Sequence, residues 1–220
     1  MDVTSIIFSQ GFFVALFYLA VVALLYLNRS RFEFQGIVAM KKTKLGLQAM
    51  QSLADKYPRA VKSLGYIGIV ICYIVMVLMT ILVVVSFIRV FTNPSAPPAL
   101  TPVLPGVQIP GTSVYLPLIQ GLISIFIVVA IHEFSHGVVA RAFNIPVNSS
   151  GFVMLGPIPG AFVEPDEKQM SKKPRWQQIA VLGAGSTSNL LFGFLFLFMW
   201  IFMAGPVVDN TMQFGDVSFG

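Results

Sequence analysis

An all-α membrane protein of about four transmembrane helices, with a short membrane-dipping β-hairpin between the third and fourth, is the fold this sequence predicts. Three observations lead there. The 220 residues are 56% hydrophobic with a mean hydropathy of +0.81, and only 10% are charged, against ~25% in soluble domains. Four apolar stretches are each long enough to cross a bilayer core, which takes ~20 residues. The basic residues gather in two segments beside those stretches.

Residues 1–27 hold the first transmembrane segment, from about Ser5 to Leu27. Only Asp2 is charged before it, and the apolar stretch is too long for a secretory signal. Residues 28–63 carry Arg29, Arg31, Lys41, Lys42, Lys44, Lys56, Arg59 and Lys62 against Glu33 and Asp55. That excess marks a cytoplasmic loop. Its stretch from about Ile37 to Leu53 reads either as a basic amphipathic helix on the membrane surface or as a solvated loop. Residues 64–90 form the second segment. Residues 91–117, with seven prolines and no charge, form an external, partly extended linker.

Residues 118–204 are the membrane core. The third segment runs from about Leu118 to Ala140 and the fourth from about Ile179 to Ala204. Between them Arg141, Lys168, Lys172, Lys173 and Arg175 set a second cytoplasmic edge. Residues 205–220 are an external tail, so both termini are external in a multi-pass cell-membrane protein. The net charge of +5 is a matter of topology, and nothing resembles a nucleic-acid module. One cysteine, Cys72, excludes an internal disulfide.

The two histidines of the chain stand at His132 and His136 with Glu133 beside the first, giving His-Glu-Phe-Ser-His inside the third segment. Residues four apart share a helix face, so both imidazoles can reach one ion. Imidazole suits Zn2+, and a catalytic zinc takes three protein ligands plus a water. The ion makes that water an available nucleophile near neutral pH. Glu133 is placed to take its proton as general base and pass it to a leaving amine. An ionisable cluster within a membrane segment is costly and marks a functional site.

Depth narrows the search for other members. His132 lies nine residues before Arg141, hence ~13 Å down the helix, and Asn189 lies eleven after Gln178, hence ~16 Å down the next. Small residues from Gly183 to Ser188 allow those helices a close approach. Asn189 therefore sits beside the histidines, as an interhelical hydrogen bond or as a substrate contact. Asp209 and Asp216 follow the fourth segment and belong to the opposite membrane face. Glu164, Asp166 and Glu167 lie on the correct side but in a solvated rim with Lys168. No good third ligand is evident.

The stretch Gly151–Val163 is apolar but broken around Gly-Pro-Ile-Pro-Gly, as a hairpin would be. It is either a packed turn or an edge that binds an unwound substrate as an added strand, with Gly160, Ala161 and Phe162 as candidate contacts.

His132–His136, the hairpin leading to Gly160-Ala-Phe-Val-Glu-Pro-Asp-Glu167, and Ala184-Gly-Ser-Thr-Ser-Asn189 occur in that order. Together they resemble the site-2 protease family of intramembrane zinc metalloproteases, archaeal members most. The resemblance spans about Gly121 to Phe192. It implies His132 and His136 as zinc ligands, Glu133 as catalytic base, and Asn189 as the polar residue of a G-x-x-x-N element. It also implies membrane-spanning substrates in a lipid bilayer. The family's third ligand is an aspartate of an Asp-Gly motif in a later membrane helix, often after a PDZ-like domain. Neither Asp209-Asn nor Gly-Asp216-Val matches it, and Gly185-Ser186 stands where the family usually has Gly-Pro. The expectation is the N-terminal membrane portion of a longer protease. The alternatives are a catalytically incomplete membrane scaffold, or a membrane-anchored protease of the CAAX-processing or heat-shock type. The latter types draw a glutamate ligand from a later helix, a part that the rim position of Glu164 and Glu167 does not suit.

Overall fold

The structure, a computed structural model, describes residues 10–36, 38–92, 104–108, 115–156 and 158–215. The start of the first apolar segment, most of the proline-rich linker, and Asp216 lie outside the described residues. The elements in chain order are α1 (Gln10–Leu27), β1 (Glu33–Gln35), β2 (Val38–Thr43), α2 (Leu47–Lys56), α3 (Pro58–Thr92) and α4 (Leu118–Ala142). They are followed by β3 (Val147–Leu155), β4 (Ile158–Pro165), α5 (Glu167–Met170) and α6 (Arg175–Gly215).

Three helices are long and apolar enough to cross a membrane: α3 with 35 residues, α4 with 25, and the Arg175–Met203 part of α6 with 29. These are the second, third and fourth predicted segments. Where the first was predicted, α1 is an apolar helix of 18 residues. Pro58 opens α3, where the missing N–H is no loss and the fixed φ already fits. Most side chains along the middle of α3 and the Met203 end of α6 are exposed and apolar, among them Met76, Val83, Phe194 and Trp200. That surface suits lipid, because the helices satisfy their own backbone groups.

The buried core lies instead where α2, α3, α4 and the start of α6 meet, around Met50, Val61, Ile69, Val139, Ala180 and Val181. Small residues set the α3–α6 distance. Thr187 Oγ1 donates to the Gly183 and Gly68 carbonyls at 2.9 and 3.3 Å, and Cys72 Sγ donates to the Gly183 carbonyl at 3.4 Å. A β-carbon at Gly68 would stand 2.7 Å from Thr187 Oγ1.

The all-α expectation needs correction. A four-stranded antiparallel sheet, in the order β1-β2-β3-β4, lies beside the helices. The predicted hairpin is its β3–β4 half, paired from Val147↔Pro165 to Leu155↔Ile158 around Gly156 at φ +56°. The other half comes from the basic segment, where β2 pairs with β3 from Val38↔Leu155 to Thr43↔Ser150. The expected surface helix from Ile37 to Leu53 is therefore a strand up to Thr43 and a helix only from Leu47. The reason is that an apolar hairpin with two open edges leaves backbone groups unpaired, and Val38-Ala39-Met40 supplies the partner. Lys42 joins the rim, 3.4 Å from Glu33 and 3.9 Å from Glu164.

The helix α2 follows the amphipathic reading in its shorter form. It buries Met50 and Ala54 and ends on Lys56. Met50 packs on Gly137 of α4, where a β-carbon would overlap its sulfur. At the other end of α4, the last part of the linker returns to α1: Tyr18 Oη donates to the Pro105 carbonyl at 2.7 Å.

Replacing Gly68 by valine should force Thr187 aside and cost about 1–3 kcal/mol through overpacking. A drop in the thermal midpoint in detergent, absent for Gly193→Val where nothing lies within 4 Å, would register it.

Candidate active site

The HEFSH motif falls in the second half of α4, where the helix runs between β4 on one side and α6 on another. Helical spacing sets His132 and His136 on one face, with ring centroids 4.8 Å apart. Each imidazole is held by its Nδ1. His136 Nδ1 lies 2.6 Å from the Val181 carbonyl oxygen, an acceptor only, so this nitrogen carries the proton. His132 Nδ1 lies 3.0 Å from the Asn189 side-chain amide. The Asn189 Oδ1 atom is buried and has no partner. As placed, the amide N–H donates to His132 Nδ1; the orientation that turns Oδ1 to His132 Nδ1–H instead leaves His132 Nε2 its lone pair, with the amide N–H then in the unpartnered place.

With both Nδ1 atoms protonated, both Nε2 atoms keep their lone pairs. They converge on α6 at Gly185. A β-carbon built there would stand 2.5 Å from His136 Nε2 and closer still to His132 Nε2. That point is a bond length from the Gly185 backbone and equally close to His132 Cδ2, so it marks how tightly α6 packs on the two imidazole edges: only a residue without a side chain fits at 185. The residues present fit a metal as two of its ligands, each imidazole oriented by an acceptor behind it. Among the described residues, no group of three or more His, Cys, Asp or Glu side chains is arranged to hold a metal.

Glu133 points to a different neighbour. Val163 N–H of β4 donates to Glu133 Oε2 at 3.1 Å. Because β4 is the last strand of the sheet, this N–H faces its outer edge, and by the period of two so does the backbone of Ala161. The carboxylate therefore sits on an open strand edge, next to the histidine cradle.

The sequence-predicted residues are thus partly brought together. His132, His136 and Asn189 form one cluster, and Glu133 joins it through its neighbour in the helix. Asn189 makes the interhelical hydrogen bond of its first reading. Gly160, Ala161 and Phe162 lie along β4, with Ala161 and Phe162 lining a cavity that Glu133 also lines. Gly160 is where the strand passes close to its neighbours, 3.0 Å from Val153 and 3.7 Å from Val129 to a β-carbon. The rim acids stay at the rim: Glu164 accepts from Ser149 Oγ at 2.5 Å, and Asp166 caps α5 by accepting from Gln169 N–H at 2.9 Å. Sequence reasoning missed the Val181 carbonyl, the Val163 N–H and the spatial role of Gly185. The first two are backbone groups with no side-chain signature. The third was visible only as one small residue among several.

Residues 120–219, which contain all of these side chains, match the model of Peptidase family M50. The site-bearing segment belongs to this family. It is the site-2 protease family, whose members are metalloproteases that depend on zinc. An uncharacterized protein of Methanocaldococcus jannaschii is 36% identical over 161 residues, 72% of this chain and 41% of that protein. The chain therefore spans about two fifths of the relative it matches. No solved structure matches it. In this segment the motif histidines and the Asn189 element meet around one glycine, and the hairpin edge reaches Glu133 beside them.

Gly185→Ala should abolish zinc binding as completely as His136→Ala. Elemental analysis of the purified full-length proteins checks it, with Gly193→Ala, on the same helix in open space, expected to keep its metal.

Proposed function

We propose that this chain carries the core of an intramembrane zinc metalloprotease that cleaves peptide bonds of transmembrane substrates. The observation that supports it most is the pair of Nε2 atoms facing Gly185 with the Glu133 carboxylate beside them on the β4 edge. His132 and His136 would hold the ion, with a third donor from outside the described residues. When bound, zinc supplies an acidified water and polarises the scissile carbonyl.

The chain's own groups do the rest. Val181 and Asn189 fix the imidazole tautomers, so neither histidine competes as a proton donor at the reacting centre. Glu133 receives the proton of the attacking water and delivers it to the leaving amine. Its hydrogen bond to Val163 N–H holds the carboxylate ready at the strand edge. A substrate segment that leaves its helix and lies along β4, against Gly160, Ala161 and Phe162, presents its backbone there as an added strand. A helical substrate cannot do this, because its peptide groups are bonded within the helix.

In this reading the reaction lies nearer the cytoplasmic edge of a multi-pass protein, with both termini external. The incomplete ligand set among the described residues favours one competing reading, a membrane scaffold that binds helices without cleaving them. Metal content separates the two: a protease holds about one zinc per full-length chain, as a catalytic site requires, and loses it in His132→Ala. A metal-free full-length protein would sink the enzymatic reading.

Glu133→Gln should retain zinc and lower cleavage of a model membrane substrate by ~10²–10⁴, the usual worth of a general base. Undiminished turnover would rule out that role. Introducing glycine or proline into the substrate helix near the cleaved bond should raise the rate; an unchanged rate would count against strand addition.

A further inference from the structure

Beside Glu133, on the side away from the histidine cradle, lies a cavity of about 160 Å³. Phe126, Ala130 and Glu133 fall on one face of α4, at spacings of four and three, and make one wall. Met50 of α2, Phe152 of β3 and Phe162 of β4 make the others. Phe126 and Phe152 stack at 6.1 Å with planes 17° apart, which stiffens that wall. Apart from Glu133, the polar side chain in the lining is Ser150, whose hydroxyl donates to the Leu45 carbonyl. The cavity is therefore apolar, with a carboxylate at its edge. Its mouth is flanked by apolar side chains left in the open, Leu45 at 68% and Phe152 at 42% exposure.

A void of this size is unusual in a packed protein interior, and it has no array of polar groups to hold water. It touches the same residue, Val163, that donates to Glu133. A strand laid along β4 sends alternate side chains to one face, so a residue next to the bond presented to Glu133 reaches this wall. An apolar cavity of about 150 Å³ holds a group the size of benzene, so a leucine-, isoleucine- or methionine-sized side chain fits, and a two-ring indole is larger than that group.

We infer that this cavity is a specificity pocket, which takes one leucine-, isoleucine- or methionine-sized side chain of the substrate next to the scissile bond. The inference rests on the proteolytic reading above and names the residue class that reading leaves open. Acidic side chains are rejected, since a second carboxylate buried beside Glu133 has no cation to offset it. Alanine is accepted poorly because it leaves the void unfilled.

The test uses the full-length protein in liposomes and a transmembrane model substrate varied to Ala, Leu, Trp or Asp on either side of the cleaved bond. At one of the two positions Leu should exceed Ala in kcat/KM by about tenfold to two-hundredfold, with Trp and Asp lower. Ala130→Leu, which fills the cavity, should invert the Leu-to-Ala ratio. As a readout that needs no turnover, a photo-leucine at the preferred position should label Met50 or Phe152 in both the wild type and Glu133→Gln. This label does not depend on how Ala130→Leu folds. Cleavage without side-chain preference, or labelling away from these residues, overturns the pocket and leaves proteolysis standing. Labelling at Met50 or Phe152 with no cleavage of any substrate supports the pocket and overturns proteolysis.

Discussion

Two imidazoles and a carboxylate embedded among apolar helices are unfavourable unless each nitrogen and oxygen has a partner, and the arrangement of the chain follows from supplying them. The Val181 carbonyl reaches His136, Asn189 reaches His132, and the Val163 N–H reaches Glu133. Two of these come from α6 and one from β4, so both elements must lie directly against α4. The α6 contact is as close as it is because position 185 has no side chain. The β4 contact requires a strand directly against α4, with a backbone N–H turned to Glu133.

That requirement accounts for the sheet. A hairpin alone has two open edges; in this protein β2 pairs with one, and at the other, which no further described strand pairs, Glu133 of α4 accepts from Val163 N–H. The segment after β2 then turns through Gly46, at φ +77°, into α2, whose Met50 packs on Gly137 one turn beyond Glu133. The reactive part of α4 is thus gripped from three directions, by α2, β4 and α6. Its N-terminal half has fewer contacts and more exposed apolar surface, as at Ile119, Ile123 and Ile127.

Much of this was legible in the residues. Long apolar runs placed α3, α4 and the Arg175–Met203 part of α6 to within six positions, while α6 itself continues to Gly215, because helices in lipid are specified by length and hydropathy. The spacing of His132, Glu133 and His136 set the two imidazoles on one helix face, and a count of helical rise put Asn189 beside them, as the structure has it. The β2 strand was illegible for a physical reason. Lys41, Lys42 and Lys44 gave residues 38–44 the look of a solvated or surface-helical segment. What makes it a strand is the distant edge of β3, more than a hundred residues later. The partners of the histidines were equally hidden, since a backbone carbonyl has no sequence signature and Asn189 allowed two readings. The crowding at Gly185 emerged only when two helices were seen face to face.

The pairing of β2 with β3 changes what counts as a unit. Division by hydropathy separates a basic loop from a reactive membrane core beginning at residue 118. The hydrogen-bonded ladder runs straight across that boundary. A piece cut to the hydropathic division would keep HEFSH and Asn189 but bare the β3 edge over six residues, Ser150 to Leu155. Exposed strand edges invite pairing with other chains. The smallest portion able to stand without such self-association therefore begins before Val38, and the loop is an integral wall of the chamber.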